Sequence, residues 1–259
     1  MTALPTDNPA TPPFEEQDPR QAVVELRSYR LHTGQRDTLI ALFDREFVES
    51  QEACGMSVLG QFRDLDRPDE FVWLRGFADM ETRRAALTAF YDGPVWAEHR
   101  NAANATMIDS DNVLLLKPAD HGAGFDLAGV KRPRPGSSEG FPAVYAVYVF
   151  PLALHRVHSF PAYFSQSLMP ALTEAGAPAG ACFVTEQSTN TFPRLPVREN
   201  ERVFVWIARF DSAEAHAAFT THLAETRGWR AALESGFDGC TAGPAMRYRL
   251  SPTARSLLR

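Results

Sequence analysis

The chain has 259 residues, 44% of them hydrophobic and 22% charged, with 26 Lys and Arg against 32 Asp and Glu for a formal net charge of −6. That length suffices for one large or two small domains, and the acidic balance excludes a nucleic acid or an anionic membrane as the main partner. No apolar run approaches the roughly 20 residues that span a bilayer, and three dispersed cysteines without a Cys-x-x-Cys pair build neither a disulfide framework nor a zinc cluster, which suits a reducing, cytoplasmic setting.

Residues 1–21 hold Pro5, Pro9, Pro12, Pro13 and Pro19 without a basic or apolar leader region, and read as a disordered Pro-rich tail. Residues 22–32 form the first expected strand, and Gly34 breaks it. Residues 36–53 place Leu39, Ile40, Leu42, Phe43 and Phe47 at helical spacing, ending at Gly55. Residues 57–63 and 70–78 read as two strands joined by Leu65-Asp66-Arg67-Pro68-Asp69. Asp79 suits the N-cap of a helix to Phe90, and Pro94 the first turn of another that runs to about Ala105. Residues 112–117 close the unit as a short strand. Residues 119–141 are a Gly-, Pro- and Ser-containing linker. The same order then restarts: a strand at 143–150, a helix at 159–175, strands at 181–187 and 203–210, helices within 212–234 and a last strand at 245–250.

This is a repeat. Phe71-Val72-Trp73-Leu74 recurs as Phe204-Val205-Trp206-Ile207, and Trp96 as Trp229, both at an offset of 133. The first strands align at an offset of 120, Val24 with Val144, and the residues 187–201 absorb most of the difference. Each copy has the split βαβ order of a ferredoxin-like unit, whose sheet carries helices on one face and leaves the other bare. A tandem copy covers that face in cis. The expected fold is α+β: two tandem ferredoxin-like units, 22–118 and 142–259, forming an intramolecular pseudo-twofold α/β barrel.

Several of these segments resemble a known family. Val24-Glu25-Leu26-Arg27-Ser28-Tyr29-Arg30-Leu31-His32-Thr33-Gly34, Phe71-Val72-Trp73-Leu74-Arg75-Gly76-Phe77, Pro94-Val95-Trp96 and Asn112-Val113-Leu114-Leu115-Leu116-Lys117-Pro118 are similar to the NIPSNAP family, in the dimeric α/β-barrel superfamily. The resemblance covers residues 22–118 well and 142–250 as a degenerate copy. It implies the barrel fold. It does not select a reaction, because the superfamily includes cofactor-free quinone-forming monooxygenases, small lyases and isomerases, haem-degrading enzymes and haem peroxidases, and the family includes mitochondrial trafficking and signalling proteins.

Where the copies differ, a site is suggested. His99, Arg100 and Asn104 of the first copy are answered by Ala232, Leu233 and Phe237. Trp96, His99, Arg100, Ala103 and Asn104 share one helical face, which an apolar second copy suggests is turned toward the sheet. A buried Arg needs an anion or a carboxylate; a half-open pocket meets that need, and a helix edge bonding to the next loop is the alternative. Asp109 or Asp111 is a candidate partner for His99 or Arg100, and a turn-former otherwise. On the first strand Glu25, Arg27 and Tyr29 share one face and Ser28, Arg30 and His32 the other. Catalytic candidates are therefore His99, Arg100 and Tyr29, and binding candidates Asn104, Trp96, Arg27, Ser28, His32 and Asp109. The expected ligand is a small carbonyl, carboxylate or phenolic molecule, handled by proton transfer without a cofactor; non-catalytic binding or an interaction module is the alternative. Haem, through His99 or His32, is a further one. No metal site is expected, since His155 and His158 lack a third ligand. A chain that closes its own barrel can be a monomer, or pair further as a homodimer.

Overall fold

The computed structural model describes residues 19–138 and 140–259; the expected tail lies outside them over residues 1–18, while Pro19–Gln21 form a short 3-10 turn with Gln21 buried. Eight strands close an antiparallel barrel: β1 (Val23–Leu31), β2 (Ser57–Asp64), β3 (Glu70–Phe77), β4 (Met107–Pro118), β5 (Val144–Pro151), β6 (Gly180–Thr185), β7 (Val203–Phe210) and β8 (Met246–Pro252), in the order β1-β3-β2-β8-β5-β7-β6-β4. Each half is a four-stranded ferredoxin-like sheet. The halves join through short seams, Phe62 to Asp64 of β2 against Leu250 to Pro252 of β8, and Leu116 to Pro118 of β4 against Phe183 to Thr185 of β6. Both outer edges of each sheet are thereby paired within one chain, which removes the exposed edges that invite further strand addition.

The helices lie outside: α1 (Arg36–Leu42), α2 (Val48–Ala53), α3 (Met80–Tyr91) and α4 (Pro94–Asn104) on the first sheet, α5 (Phe160–Tyr163), α6 (Met169–Glu174), α7 (Ala213–Glu225) and α8 (Arg227–Glu234) on the second. Asp79 caps α3 by accepting from the Thr82 amide at 2.6 Å, and Ser212, 133 residues on, caps α7 through the Ala215 amide. A π-helical turn interrupts each first helix, at Phe43–Phe47 and Phe164–Leu168, an offset of 121.

Strand periodicity divides the core into three. Val24, Leu26, Val72, Leu74, Leu114 and Leu116 fill the barrel interior with Val147, Val149, Val205, Ile207 and Leu250, so the barrel is packed through its middle. Leu127 of the linker and Leu258 of the C-terminal segment join that cluster. The odd-numbered residues of β1 face the helices instead.

Two sequence expectations are corrected here. Val23 pairs with Phe77 as Val144 pairs with Phe210, so the first strands align at 121, not 120. Because strand side chains alternate, that single residue inverts the faces: the counterparts of Glu25, Arg27 and Tyr29 are Ala146, Tyr148 and Phe150. Met107 to Asp111 also belongs to β4, so the last strand of the first unit starts at Met107 and not at 112; Arg30 pairs with Asp109 beside a register shift, and Asp109 accepts from the Asp111 amide at 2.9 Å, the local side-chain-to-backbone bond expected of it.

Candidate functional site

Glu25, Arg27 and Tyr29 alternate along β1 beneath the helices, and Arg75 stands beside them on β3, paired across the ladder with Glu25. Arg83 descends from α3. The result is one carboxylate holding three guanidinium groups, all buried: Glu25 Oε2 accepts from Arg27 at 2.6 Å and Arg75 at 2.8 Å, and Oε1 from Arg83 at 2.7 Å. Burial alone raises the pKa of such an acid, but Arg75, Arg27 and Arg83 together outweigh it and hold the Glu25 carboxyl far below the usual range. Among the described residues no second carboxylate bonds these three arginines, so the cluster keeps two positive charges in excess. The remaining contacts are neutral. Arg75 donates to Gln51 Oε1 at 3.1 Å and Arg83 to Asn190 Oδ1 at 3.0 Å, while one terminal nitrogen of each is buried without a hydrogen-bond partner.

The cluster ends at a hydroxyl. Arg27 Nε donates to Tyr29 Oη at 2.9 Å, which leaves the phenolic proton free to be donated onward. Burial raises the Tyr29 pKa, against the opposing pull of Arg27, so at neutral pH Tyr29 is a hydrogen-bond donor and not a base. Its ring is fixed edge-on against Trp73 and Phe71.

Arg27 and Tyr29 form the floor of a cleft with about 90 Å³ of free space between the first sheet and its helices. Trp73, Phe43, Phe47, Phe90, Tyr91 and Trp96 supply aromatic walls, and Gln51, Asn104 and Ser110 are further polar lining groups. Phe43 and Phe47, four residues apart on this helical segment, both point into the cluster between sheet and helices. An apolar cleft with a few convergent polar groups is the usual form of a small-molecule site. A larger cleft, about 610 Å³, lies between the second unit and the start of the linker, but its charged groups Lys117, Asp120 and His158 are all exposed.

The corresponding space in the second unit is filled. Phe237 occupies the place of Asn104 and packs its ring 5.6 Å from Phe150, the counterpart of Tyr29, and 5.7 Å from Trp229. The ionic cluster is gone as well: Ala146 stands for Glu25, Ala208 for Arg75 and His216 for Arg83.

Of the residues singled out from the sequence, Tyr29, Arg27, Trp96 and Asn104 meet in this cleft. His99 does not line it; it is half-buried at the rim, 3.5 Å from Glu46 and against the Phe47 ring. Its carboxylate neighbours are thus Glu46 of the first helical segment and, at 4.0 Å, Glu98, and neither Asp109 nor Asp111. Arg100 is exposed, as is its counterpart Leu233 at 46%, so an apolar replacement there did not signal an inward face. Ser28 lies on the barrel side of β1 and donates to Glu70 at 3.1 Å, and His32 is exposed beyond the end of that strand. Neither His32 nor His99 presents an imidazole to the cleft, so these residues do not fit an axial role toward haem.

Residues that the sequence reading did not assign to a site are Gln51, Arg75, Arg83, Glu46, Asn190 and Leu195. Two of them carried a signal: Arg75 against Ala208 and Arg83 against His216 differ at the same 133-residue offset as the tryptophans. Among the described residues no helix is long and apolar enough to cross a membrane.

Comparison with known proteins agrees with this architecture. Residues 24–121 match the NIPSNAP family model. The whole fold is similar to a candidate monooxygenase from Fusobacterium nucleatum, with a TM-score of 0.54 and 7% identity over 89% of this chain and 92% of that one. It is similar to an anthrone oxidase-like protein at a TM-score of 0.54 and 11% identity, over 89% and 91%. A NIPSNAP family protein from Agrobacterium tumefaciens aligns with one unit, at 20% identity and a TM-score of 0.36 over 38% of this chain and 86% of that chain. No curated protein matches the chain. At such identities the first two structures share the fold alone. The first unit of this single-chain, eight-stranded barrel, over residues 24–121, is a NIPSNAP domain.

Proposed function

We propose that the cleft of the first unit binds a small aromatic molecule through an oxygen that is, or becomes, anionic, and promotes proton transfer at that molecule without a cofactor. The observation that carries this reading is the buried excess of positive charge ending at the Tyr29 hydroxyl. A low-dielectric site with fixed donors stabilises a phenolate or enolate far better than water does, because its dipoles need no reorganisation. Tyr29 donates to the ligand oxygen, and Arg27 behind it strengthens that bond as charge develops. Asn104 offers a second donor at the cleft, and the aromatic walls hold a planar ring. The carbon proton released as the enolate forms passes to solvent at the open mouth of the cleft, where His99 and Glu46 stand at the rim. The barrel likeness to an anthrone oxidase-like protein is compatible with an enolisable aromatic substrate.

The test is deuterium exchange at the α-carbon of 2-indanone, a small enolisable ketone, followed by proton NMR in heavy water. Wild-type protein is expected to accelerate exchange over buffer, and Tyr29→Phe to lose roughly a hundredfold or more of that acceleration, as for an oxyanion donor. Exchange at the buffer rate with wild-type protein overturns the catalytic reading; saturable binding of the ketone without exchange identifies a receptor instead.

A further inference from the structure

We propose that the loop joining β6 to β7 in the second unit is the specificity element of the first unit's cleft, with Leu195 setting the size of ring the cleft accepts. The proposal rests on the reading of that cleft as a small-molecule site, and goes beyond it by assigning selectivity to a segment outside the NIPSNAP domain.

The two units differ most in this connection. In the first, residues 65–69 join β2 to β3; in the second, residues 186–202 join β6 to β7. A connection that long without secondary structure of its own is uncommon in a compact domain and is usually functional. Its course is not free. The Glu186 amide bonds the Leu115 carbonyl at 2.9 Å and the Arg198 amide the Val113 carbonyl at 2.8 Å, so both ends of the loop are pinned along β4 of the first unit. Between them, residues 190–195 fold on themselves, with the Asn190 side chain accepting from the Phe192 amide and donating to the Leu195 carbonyl at 2.9 Å.

That turn is seated on the first unit. Thr191 Oγ1 donates to the Met80 carbonyl at 3.1 Å, the buried Phe192 ring lies 5.9 Å from Tyr91, and Arg194 pairs with Asp92 at 2.6 Å. Leu195 is thereby brought into the wall of the cleft, the one lining residue drawn from the second unit. Asn190 also accepts from Arg83, so the loop caps the ionic cluster with a neutral group and leaves its excess charge intact. The second unit has filled its own cleft with Phe237 and lengthened a loop into its neighbour's. Its surviving role toward ligands is to shape the first unit's site.

Binding of 4-nitrophenol and of the larger 1-naphthol, measured calorimetrically on the full chain, tests this. Leu195→Ala is expected to shift the affinity ratio toward 1-naphthol by roughly tenfold, the scale of a small change in pocket volume, and Leu195→Trp to weaken both ligands. Glu199→Ala, exposed on the same loop but outside the cleft, is expected to leave the ratio unchanged, and circular dichroism confirms that each variant folds. Binding by Leu195→Ala where wild type binds neither phenol also supports the loop as the barrier. Binding by wild type with a ratio that neither Leu195 variant moves overturns the loop assignment while leaving the cleft in place. No binding by wild type or by Leu195→Ala overturns both.

Discussion

Replacing Glu25 by glutamine removes the carboxylate that three buried guanidinium groups share while preserving the shape of the side chain. Each arginine keeps a neutral acceptor at best, Tyr29 for Arg27, Gln51 for Arg75 and Asn190 for Arg83. Breaking one buried pair and stranding its partner costs about 3–5 kcal/mol, and here one change strands three cations. Against the usual 5–15 kcal/mol of a folded domain, the loss is a large fraction of the whole. For a chain of this size it corresponds to a fall in Tm of about 6–20 °C. Adding Arg75→Met to Glu25→Gln removes one stranded charge and is expected to recover part of the loss, which a double-mutant cycle reads directly. The pH dependence has a definite sign. The folded-state pKa of Glu25 is depressed, so its contribution is fully present at neutral pH, begins to fall as pH drops through the ordinary glutamate range, and is lost only well below it. The gap between wild type and Glu25→Gln in urea unfolding should therefore be constant from neutral to mildly acid pH and close below that. A gap under about 1 kcal/mol, or one that does not close in acid, refutes a charged buried cluster.

Asn104→Phe copies the residue that fills the second unit; it is expected to abolish phenol binding by calorimetry with little change in Tm. The reciprocal Phe237→Ala opens the second unit and is expected to cost about 3–5 kcal/mol in urea unfolding, the range for an emptied aromatic site. Asp44, lifted to about 6 by burial against the pull of Arg255, accepts from Gln61 at 3.0 Å. A raised acid pKa opposes folding where the group is charged, so Asp44→Asn should stabilise at neutral pH, with a gain that shrinks as pH falls below about 6. Gly76→Ala brings a methyl group within 2.2 Å of the Arg20 carbonyl oxygen, so the Pro19–Gln21 turn must move; faster amide exchange at Gln21 and a lower Tm are the expected readouts.

The barrel was legible because its signals are periodic and duplicated. Trp73 with Trp206 and Asp79 with Ser212 mark equivalent points of two units, and a sheet with one bare face requires a cover. The site was legible only in part. Asn104, set against Phe237 in the repeat, does line the cleft, since a polar group and an aromatic ring compete for the same space. Arg100 against Leu233 did not, because a long side chain at a helix edge reaches water whichever residue it is. The face of the first strand was hidden by one residue of offset, since sheet periodicity turns any odd slip into an inversion. Arg83 differed from His216 in the repeat, but its meeting with Asn190, 107 residues away, comes only through the fold, and no local pattern announces that contact. Leu195 was hidden by the same cause, lying in a loop whose length was apparent but whose seat was not.

The most direct measurement is an absorbance titration of 4-nitrophenol with the protein at a pH below that at which the free phenol ionises. A buried excess of positive charge facing Tyr29 should bind one phenol per chain as the yellow phenolate, with Asn104→Phe abolishing the colour and Phe237→Ala leaving it unchanged. A bound phenol that stays colourless, or colour that survives Asn104→Phe, contradicts an anion-stabilising site in the first unit.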